Sequence, residues 1–460
     1  MKKFYISLVA MFFAALTASA EDFMYEGLAY NIIAFKQVEV TKPAAGYTNL
    51  GGDLVIPQVV YNDGTSYAVI YIGEKAFQNC TTITSVTIPG KVESIKKSAF
   101  ENCTNLATIN FDQNSANLKE IRGWAFQGTA VTSVTIPESV KSIYSGAFED
   151  CPNLTTVKLP NEMEILGSFA RCPKLTTINL PEGIEYFGGF DNCISLKSIT
   201  IPKSVWRLGG FKNTGLTSIT IPSNVTEISG GAFAECKNLT TVTIPSTVTT
   251  TGSESFRDCT GLTTVNIQNN MIAQNQFNGC TSLKTVNIGS NVNYFNTSGA
   301  FGGCPIETLN IGSNKAANIA LYSSAKSTLK TLNLTDGVTE LPESAFEGCS
   351  ALTTVTLPST LDAIGNSAFS GCTKMRELTA KMERPFAIDA SVFSGVQQHG
   401  YCDLHVPQGS SGRYKAMEVW KEFYVIDEGA APSYIRGDVN SDGTVDIADV
   451  VSVLNIMAEQ

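Results

Sequence analysis

The sequence has few histidines, few charged residues and no excess of positive charge. Its 460 residues include two histidines, His399 and His405, so imidazole-based metal sites or general-base chemistry could be built in at most one neighbourhood. Charged residues are 16% and hydrophobic residues 43% of the chain, which excludes wholesale disorder. The 42 acidic residues outnumber the 32 basic ones, and an acidic surface repels phosphate backbones, so we expect no nucleic-acid partner.

Long hydrophobic runs are also scarce, and the clearest one lies at the start of the chain. Lys2 and Lys3 precede an apolar run over residues 4–16, and small residues follow at 18–20. This pattern predicts a signal peptide at residues 1–20. The run is shorter than the roughly 20 residues that a membrane-spanning helix needs. We therefore expect a secreted or outer-surface protein with no transmembrane segment once the leader is removed.

A unit of 21 to 26 residues recurs fifteen times, and its most regular feature is Phe-x-x-Cys. Eleven of the twelve cysteines hold this position, and Thr129, Thr214, Lys326 and Val396 take it in weaker copies. A period of this length predicts a solenoid in which each coil buries its apolar face against the next. The Phe and Cys pairs are Phe77/Cys80, Phe100/Cys103, Phe148/Cys151, Phe169/Cys172, Phe190/Cys193, Phe233/Cys236, Phe256/Cys259, Phe277/Cys280, Phe301/Cys304, Phe346/Cys349 and Phe369/Cys372.

Each unit also carries Leu-x-x-Val-x-Ile, in many copies followed by proline. The alternation of apolar and polar residues with period two indicates a strand with one buried face, which proline then ends. We expect one short strand per coil, with the following Val-x-x-Ile and Ala-Phe turning the chain back under it. The predicted fold class is a β-dominated solenoid of leucine-rich-repeat type, a horseshoe or arc of about 15 coils.

The full unit resembles the BspA-like leucine-rich repeat of bacterial surface and secreted proteins. It reads Cys-x-x-Leu-x-x-Val-x-Ile-Pro-x-x-Val-x-x-Ile-Gly-x-x-Ala-Phe-x-x-Cys, and the resemblance covers residues 53–396. Flanking segments that contain Tyr71–Phe77 and Trp420–Phe423 are also similar to those of the family. We expect residues 21–52 and 397–427 to cap the exposed ends of the stack. For function, the resemblance implies adhesion or ligand binding.

The row of cysteines has two interpretations. Stacked coils bring cysteines within disulfide distance, and the expected compartment is oxidising. Eleven residues cannot all pair, however, and the replacement of cysteine by Thr129 and Thr214 suits a small buried side chain better than a bridge partner. We favour buried free thiols. Metal binding is not favoured because the cysteines occur one per coil rather than in clusters, and Cys402 receives no role.

The outward positions of the predicted strands form two files of mostly uncharged hydrogen-bonding residues. Three interpretations remain: a solvated strand face rich in β-branched residues, a flat surface that recognises a protein or glycan, and a threonine grid that orders water against ice. The first file begins at Ser85 and ends at Thr354. The candidate binding surface comprises Thr87, Thr135, Lys158, Thr200, Thr220, Thr243, Asn266, Asn287, Asn310, Asn333 and Thr356 of the second file.

Catalysis is disfavoured by the motifs. We find no Ser-His-Asp constellation, phosphate loop or dinucleotide fingerprint in convincing context. The pairs Glu162/Glu164 and Glu182/Glu185 could serve as glycosidase carboxylates only if they faced each other across a cleft. A continuous solenoid offers surface rather than a pocket, so the sequence predicts a protein that is not an enzyme.

The C-terminal tail carries a calcium-loop pattern. After a linker at residues 428–436, oxygen-bearing residues hold positions 1, 3, 5, 9 and 12 of a loop, glycine holds position 6, and Thr444 would contribute its carbonyl. The segment 437–460 resembles one half of a dockerin repeat, which implies an EF-hand-like loop and helix and a possible cohesin-like partner. The predicted calcium ligands are Asp438, Asn440, Asp442, Thr444, Asp446 and Asp449.

Two functional hypotheses follow from these patterns. In the first, a secreted or cell-surface, non-enzymatic, adhesin-like protein recognises a protein or glycan through the solenoid face. In the second, the calcium-loop tail docks into a polysaccharide-degrading or surface assembly and the solenoid is a spacer.

Overall fold

A computed structural model describes residues 21–47, 50–112, 116–295, 299–314 and 323–428. The predicted leader and the predicted calcium segment lie outside the described residues, so both stay predictions. The described residues fall into an N-terminal unit up to Leu239 and a C-terminal unit from Thr240 onward. In the described part of the chain, no helix is both long and apolar enough to cross a membrane.

The N-terminal unit begins with a small antiparallel meander. In it, β1 pairs with β2 and β2 with β3, while β3 pairs in parallel with β6, the strand that leads into the repeats. A second strand, β4, pairs in parallel with β7 and starts the front of the stack. The ranges are β1 Phe23–Tyr25, β2 Leu28–Ala34, β3 Gln37–Thr41, β4 Gly52–Val55, β5 Val59–Asn62, β6 Thr65–Ile72 and β7 Ile83–Ile88.

Most repeats of this unit supply two strands per coil, one in front and one behind, where the sequence predicted one. The front strands come from Leu-x-x-Val-x-Ile, and the short rear strands come from Val-x-x-Ile. Each strand pairs with its counterpart in the next coil, as when Ser85 faces Thr108 in front and Ile121 faces Ile143 behind. The remaining strands of this unit are β8 Ser94–Ile95, β9 Thr108–Phe111, β10 Glu120–Ile121, β11 Ser133–Thr135, β12 Ser142–Ile143, β13 Thr156–Lys158, β14 Ile165–Leu166, β15 Thr177–Ile178, β16 Arg207–Leu208 and β17 Glu227–Ile228.

Two coils of the N-terminal unit lack the front strand that their sequence predicts. Residues 198–201 and 218–221 carry the strand pattern, yet neither segment forms a strand in the described structure. Packing is looser here, since Ile178 and Ile199 are only half-buried. In the preceding coil the side-chain oxygen of Asn179 accepts the backbone N–H of Leu159 at 3.3 Å, so a side chain takes a donor that a strand ladder would use.

The C-terminal unit has a longer front sheet. Nine parallel strands follow in the order β18-β20-β22-β24-β25-β27-β29-β30-β31, so the sheet continues into the predicted C-terminal cap. The strands are β18 Thr241–Ile244, β19 Thr250–Thr251, β20 Thr264–Ile267, β21 Met271–Ile272, β22 Thr285–Ile288, β23 Tyr294–Phe295, β24 Thr308–Ile311, β25 Thr331–Leu334, β26 Glu340–Leu341, β27 Thr354–Leu357, β28 Ala363–Ile364, β29 Glu377–Ala380, β30 Asp403–Val406 and β31 Val425–Glu428.

Helical structure in the described residues is confined to short turns. They are α1 Ser323–Lys326, α2 Gln398–Tyr401 and α3 Ser411–Lys415, with 3-10 turns at Ala390–Phe393 and Trp420–Glu422.

A column of stacked phenylalanine rings runs through each unit. In the N-terminal unit the rings from Phe77 to Phe233 stack at centroid distances of 5.0 to 6.0 Å, and Tyr47 stacks on Phe77 at 5.4 Å. In the C-terminal unit Trp420 and Phe423 meet the last ring, Phe393, edge-on at 6.0 and 5.2 Å. Most coils therefore add one aromatic residue to the core, and the coil that ends at Lys326 has Ser323 at this position.

The cysteines form a second buried column, and the hypothesis of free thiols is confirmed. All twelve cysteines are free, eleven of them buried and Cys80 half-buried. In eight of them the Sγ atom lies 3.0 to 3.4 Å from the phenylalanine carbonyl of the preceding coil, as in Cys103 to Phe77 at 3.1 Å. Thr129 holds the cysteine position of its coil, but its hydroxyl donates to the carbonyl of Phe126 in the same coil, at 2.9 Å.

Candidate binding face

The front strands carry the candidate binding residues on their outward side, which we call the polar face. In the N-terminal unit Thr87 lies on β7, Thr135 on β11 and Lys158 on β13, whereas Thr200 and Thr220 lie in the two coils without front strands. Thr87 is half-buried and the other four are exposed. Alternation along each strand places them opposite the buried valine and isoleucine residues, which is the arrangement that the sequence pattern predicts.

In the C-terminal unit four asparagines of the polar face are joined in a ladder that the sequence did not reveal. The Nδ2 atom of Asn266 donates to Thr243 Oγ1 at 3.0 Å, and Asn287 Nδ2 donates to Asn266 Oδ1 at 2.6 Å. Asn310 donates to Asn287 at 2.5 Å and Asn333 donates to Asn310 at 2.8 Å. We call these five residues the asparagine ladder. It results from in-register parallel pairing, which places identical side chains side by side.

The ladder is partly sheltered and carries no charge. Its four asparagines are half-buried, whereas Thr243 is exposed, and Thr356 follows them on β27. An amide has two N–H donors and an oxygen with two lone pairs. Each inner asparagine uses one N–H donor and one oxygen lone pair within the ladder. One N–H donor and one lone pair of each therefore remain for a ligand.

Beyond Thr356 the same file continues into residues that sequence reasoning missed. Register pairing carries it to Thr379, His405 and Asp427 on β29, β30 and β31. His405 is almost fully buried, and its Nδ1 lies 2.7 Å from Asp427 Oδ1. These coils lose the Val-x-Ile signature, but the alternation in Glu377–Ala380 and Asp403–Val406 was a signal that could have located them.

The polar face is not uniformly flat, which corrects the expectation of a surface without a pocket. In the N-terminal unit a concavity of about 1030 Å³ is lined by Asn110, Lys119, Thr135 and Glu138, among others. It lies at the longest coil, the 26 residues from Cys103 to Thr129. Glu138 already accepts the backbone N–H and the side-chain amide of Asn161, at 3.1 and 3.2 Å, which holds its carboxylate in place.

The asparagine ladder has a smaller groove of its own. It measures about 200 Å³ and is lined by three ladder asparagines together with Ile288, Gly289 and Thr335, among others. A Cβ at Gly289 would lie 3.2 Å from the carbonyl oxygen of Ile267, so a larger residue here would crowd the groove.

Of the four glutamates considered as glycosidase carboxylates, Glu162, Glu164 and Glu182 line an open depression. Glu162 and Glu182 form an isolated parallel bridge, and Lys141 Nζ is 3.3 Å from Glu162 Oε2. Within the described ranges, no group of three or more His, Cys, Asp or Glu residues could hold a metal ion. The predicted calcium ligands from Asp438 to Asp449 lie outside the described residues.

One ion-pair cluster lies beside the polar face, at the positions just before the front strands. Glu307 bridges Lys284 and Lys330, with N–O distances of 3.0 and 2.8 Å. Hydrogen bonds from Lys330 and then from Lys284 lower the pKa of the Glu307 carboxyl. Because these groups are exposed, the cluster fixes side-chain positions more than it stabilises the fold.

The coils stack through parallel front strands and short rear strands, and they repeat one pattern of leucine, phenylalanine and cysteine. These features define a leucine-rich-repeat solenoid of about fifteen turns. The family model described as the BspA type leucine rich repeat region matches residues 70–189, 114–210, 207–325 and 317–405. These matches span most of the chain, and the chain belongs to this family.

Among solved structures, the chain is similar to a leucine-rich repeat protein from Bacteroides ovatus. The two are 29% identical with a TM-score of 0.55, and the match covers 78% of this chain and 94% of that one. A leucine rich cell surface protein from Faecalibacterium prausnitzii is 22% identical, with a TM-score of 0.39 and coverage of 82% and 98%. The pneumococcal vaccine antigen PcpA is 16% identical, with a TM-score of 0.43 and coverage of 89% and 98%. No curated protein matches the chain.

Proposed function

We propose that this chain is a secreted or cell-surface, non-enzymatic binding protein, adhesin-like in character, that recognises a protein or glycan through its polar face. The observation that carries the proposal is the asparagine ladder, a preorganised and uncharged row of hydrogen-bonding groups. Side chains already held by their neighbours lose little conformational freedom when a ligand arrives.

The chemistry of the face sets the kind of recognition. Hydroxyl and amide groups dominate it, so specificity comes from hydrogen-bond geometry rather than from charge steering. The proposal therefore entails an affinity that changes little with ionic strength, because screening acts on charges and not on neutral hydrogen bonds.

A panel of extracellular-matrix proteins and polysaccharides tests the proposal, with the denatured chain as the baseline. The matched variants are Thr243→Glu and Thr250→Glu, which alter the same residue type, exposed in both cases, within one coil. Thr243 lies on the front strand β18 and Thr250 on the short strand β19. The proposal expects a ligand that Thr243→Glu loses and Thr250→Glu keeps. Binding by no panel member above the baseline, or equal loss in both variants, would contradict it.

The calcium-loop tail supports a second proposal, a docking role. Carboxylate and amide oxygens at loop spacing suit calcium, which prefers hard oxygen ligands. In this alternative a cohesin-like partner holds the tail and the solenoid is a spacer. The double variant Asp438→Ala, Asp442→Ala should then lose heat of calcium binding and recruitment into the assembly, while the circular dichroism of the solenoid stays unchanged. Unaltered calcium binding in that variant would overturn the assignment of the ligands.

A further inference from the structure

We infer that the asparagine ladder binds a peptide segment in the polyproline II conformation, laid along the stack and across the strands. The inference rests on the proposed function and names the ligand class for one part of the face. It begins with the spacing of the ladder. Neighbouring strands lie about 4.8 Å apart, so every second asparagine recurs at about 9.6 Å. A polyproline II helix repeats the same face every three residues, at about 9.3 Å.

This match allows one ligand to repeat its contacts along the whole ladder. Five strands, from Thr243 to Asn333, span about 19 Å, which is the length of about six residues of polyproline II. An extended β-type peptide rises about 3.4 Å per residue and repeats a face every two residues, at about 6.8 Å, so it falls out of step with the strands.

The hydrogen-bonding groups of the ladder and of a polyproline II peptide are also complementary. A polyproline II segment has no internal hydrogen bonds, so its carbonyl groups are free to accept. Asn266 and Asn310, two strands apart, each use one N–H within the ladder and retain one for a ligand carbonyl. Proline carbonyls are acceptors without a matching N–H on the same residue, which suits a row of rigid amide donors.

The groove beside the ladder supplies the remaining complementarity. It is shallow, about 200 Å³, and runs past Ile288 and Gly289 next to the amides. At the strand ends of these coils Gln268, Gly289 and Gly312 stand where other coils have proline. An apolar pyrrolidine ring can pack in such a groove while its carbonyl meets the ladder. The preformed conformation of the ligand keeps the entropic cost of binding low.

The test uses a fluorescein-labelled oligoproline of about ten residues, which is longer than the ladder, and measures fluorescence polarisation with the whole chain. The variant pair is Asn266→Thr with Asn310→Thr. Threonine holds the same position in other coils, so the variant is expected to fold, and thermal unfolding followed by circular dichroism checks this. The matched control is Asn270→Thr, which changes the same residue type at an exposed position beside the short strand β21, away from the polar face.

We expect oligoproline to bind the wild-type chain and the Asn270→Thr control alike. The double variant should bind at least about tenfold more weakly, because two net hydrogen bonds are lost. A flexible Gly/Ser-rich peptide of the same length should bind more weakly than oligoproline to the wild type. Equal binding of the two peptides, or oligoproline binding that survives the double variant, would overturn the inference.

A third probe separates this inference from the proposed function. A soluble linear β-glucan is titrated against the same three proteins. Glucan binding that the double variant loses, with no oligoproline binding, would overturn the polyproline II assignment and leave the proposed binding function standing. Absence of binding by both probes would also overturn the inference, whereas the proposed function is judged by the wider panel of matrix proteins and polysaccharides.

Discussion

The Sγ atom of Cys193 lies 3.2 Å from the backbone carbonyl oxygen of Phe169 in the preceding coil. The same relationship joins Cys280 to Phe256 at 3.2 Å. The thiol gives a buried backbone carbonyl a hydrogen bond from the next coil, and the carbonyl of Phe256 also accepts the backbone N–H of Cys259 at 3.4 Å. The cysteine row therefore serves the packing of the stack, and its oxidation is not needed for the fold.

Thiol labelling should distinguish Cys80 from the rest of the row. Cys80 is half-buried at the start of the column, whereas the other eleven cysteines are buried. Burial raises the pKa of the Cys103 thiol to about 12, so it carries no reactive thiolate at neutral pH. We expect an aromatic disulfide reagent to label Cys80 in the native protein and all twelve cysteines after denaturation. Rapid labelling of many cysteines without denaturant would contradict the packing described.

Alkaline pH should destabilise the fold through the same thiols. The pKa values of Cys103 and Cys193 are raised from 9.0 to about 12 by burial. The folded state holds these protons more tightly, so their stabilising contribution is complete below the unfolded pKa and falls as the pH rises from 9 towards 12. Urea midpoints of the wild type should fall more between about pH 8 and about pH 10.5 than those of Cys103→Thr, Cys193→Thr. Parallel profiles would show that other groups control the alkaline limit.

Truncation of one ring should break the phenylalanine column. Phe126 is fully buried and stacks on Phe100 and Phe148 at 5.2 Å on both sides. Phe126→Ala should lower the free energy of unfolding by about 3–5 kcal/mol, through lost burial and the cavity left behind. The control Thr135→Ala, an exposed change on the polar face, should stay within about 0.5 kcal/mol of wild type in the same urea titration. Similar midpoints for the two variants would refute the role of the column.

Acid should loosen the C-terminal end through Glu428. A hydrogen bond from the Ser411 side chain is the largest cause that lowers the pKa of this carboxyl to about 2, and the backbone N–H groups of Gly409 and Ser411, which donate to it at 2.8 and 2.9 Å, add to the effect. A depressed pKa stabilises the fold above the unfolded value of 4.5, and this contribution is lost as the pH falls towards 2.

Tryptophan fluorescence can follow this change at one residue. The chain has three tryptophans, and Trp420 is fully buried while Trp124 and Trp206 are exposed. In a Trp124→Phe, Trp206→Phe background, the emission of Trp420 should shift to longer wavelength between about pH 4.5 and pH 2. The added change Glu428→Gln should flatten that transition, because the glutamine does not titrate. A transition that keeps its full amplitude in the glutamine variant would assign it to another group.

The sequence period predicted the fold well, because the residues that recur in each unit are the ones that pack into the core. Apolar alternation located the front strands, and Phe-x-x-Cys located both buried columns. The rear strands were missed because two residues are too few to show alternation, as in Ser94–Ile95. The missing front strands at 198–201 and 218–221 could not be predicted, because the local pattern there is the same as in coils that form strands.

The sequence predicted where the candidate site lies but not how its side chains contact one another. Sequence placed Asn266 and Asn287 on one outward file, yet the bond between their amides requires coils in strict register, which unequal repeat lengths conceal. The sequence did not predict that the polar face continues to His405 and Asp427, because the repeat motif is absent there. The concavity beside Thr135 lies at the longest coil, and a spacing count alone does not predict a concavity.

The central claim is that recognition belongs to the solenoid, and truncation of the tail tests it most directly. The measurement is the set of matrix proteins and polysaccharides bound by the chain from Glu21 onward and by a version ending at Glu428, each in calcium and in chelator. The account predicts that the shorter chain keeps its ligands and that chelator has no effect on them. Loss of all ligands with the tail, and their loss from the longer chain in chelator, would contradict it and make the terminal loop the docking element.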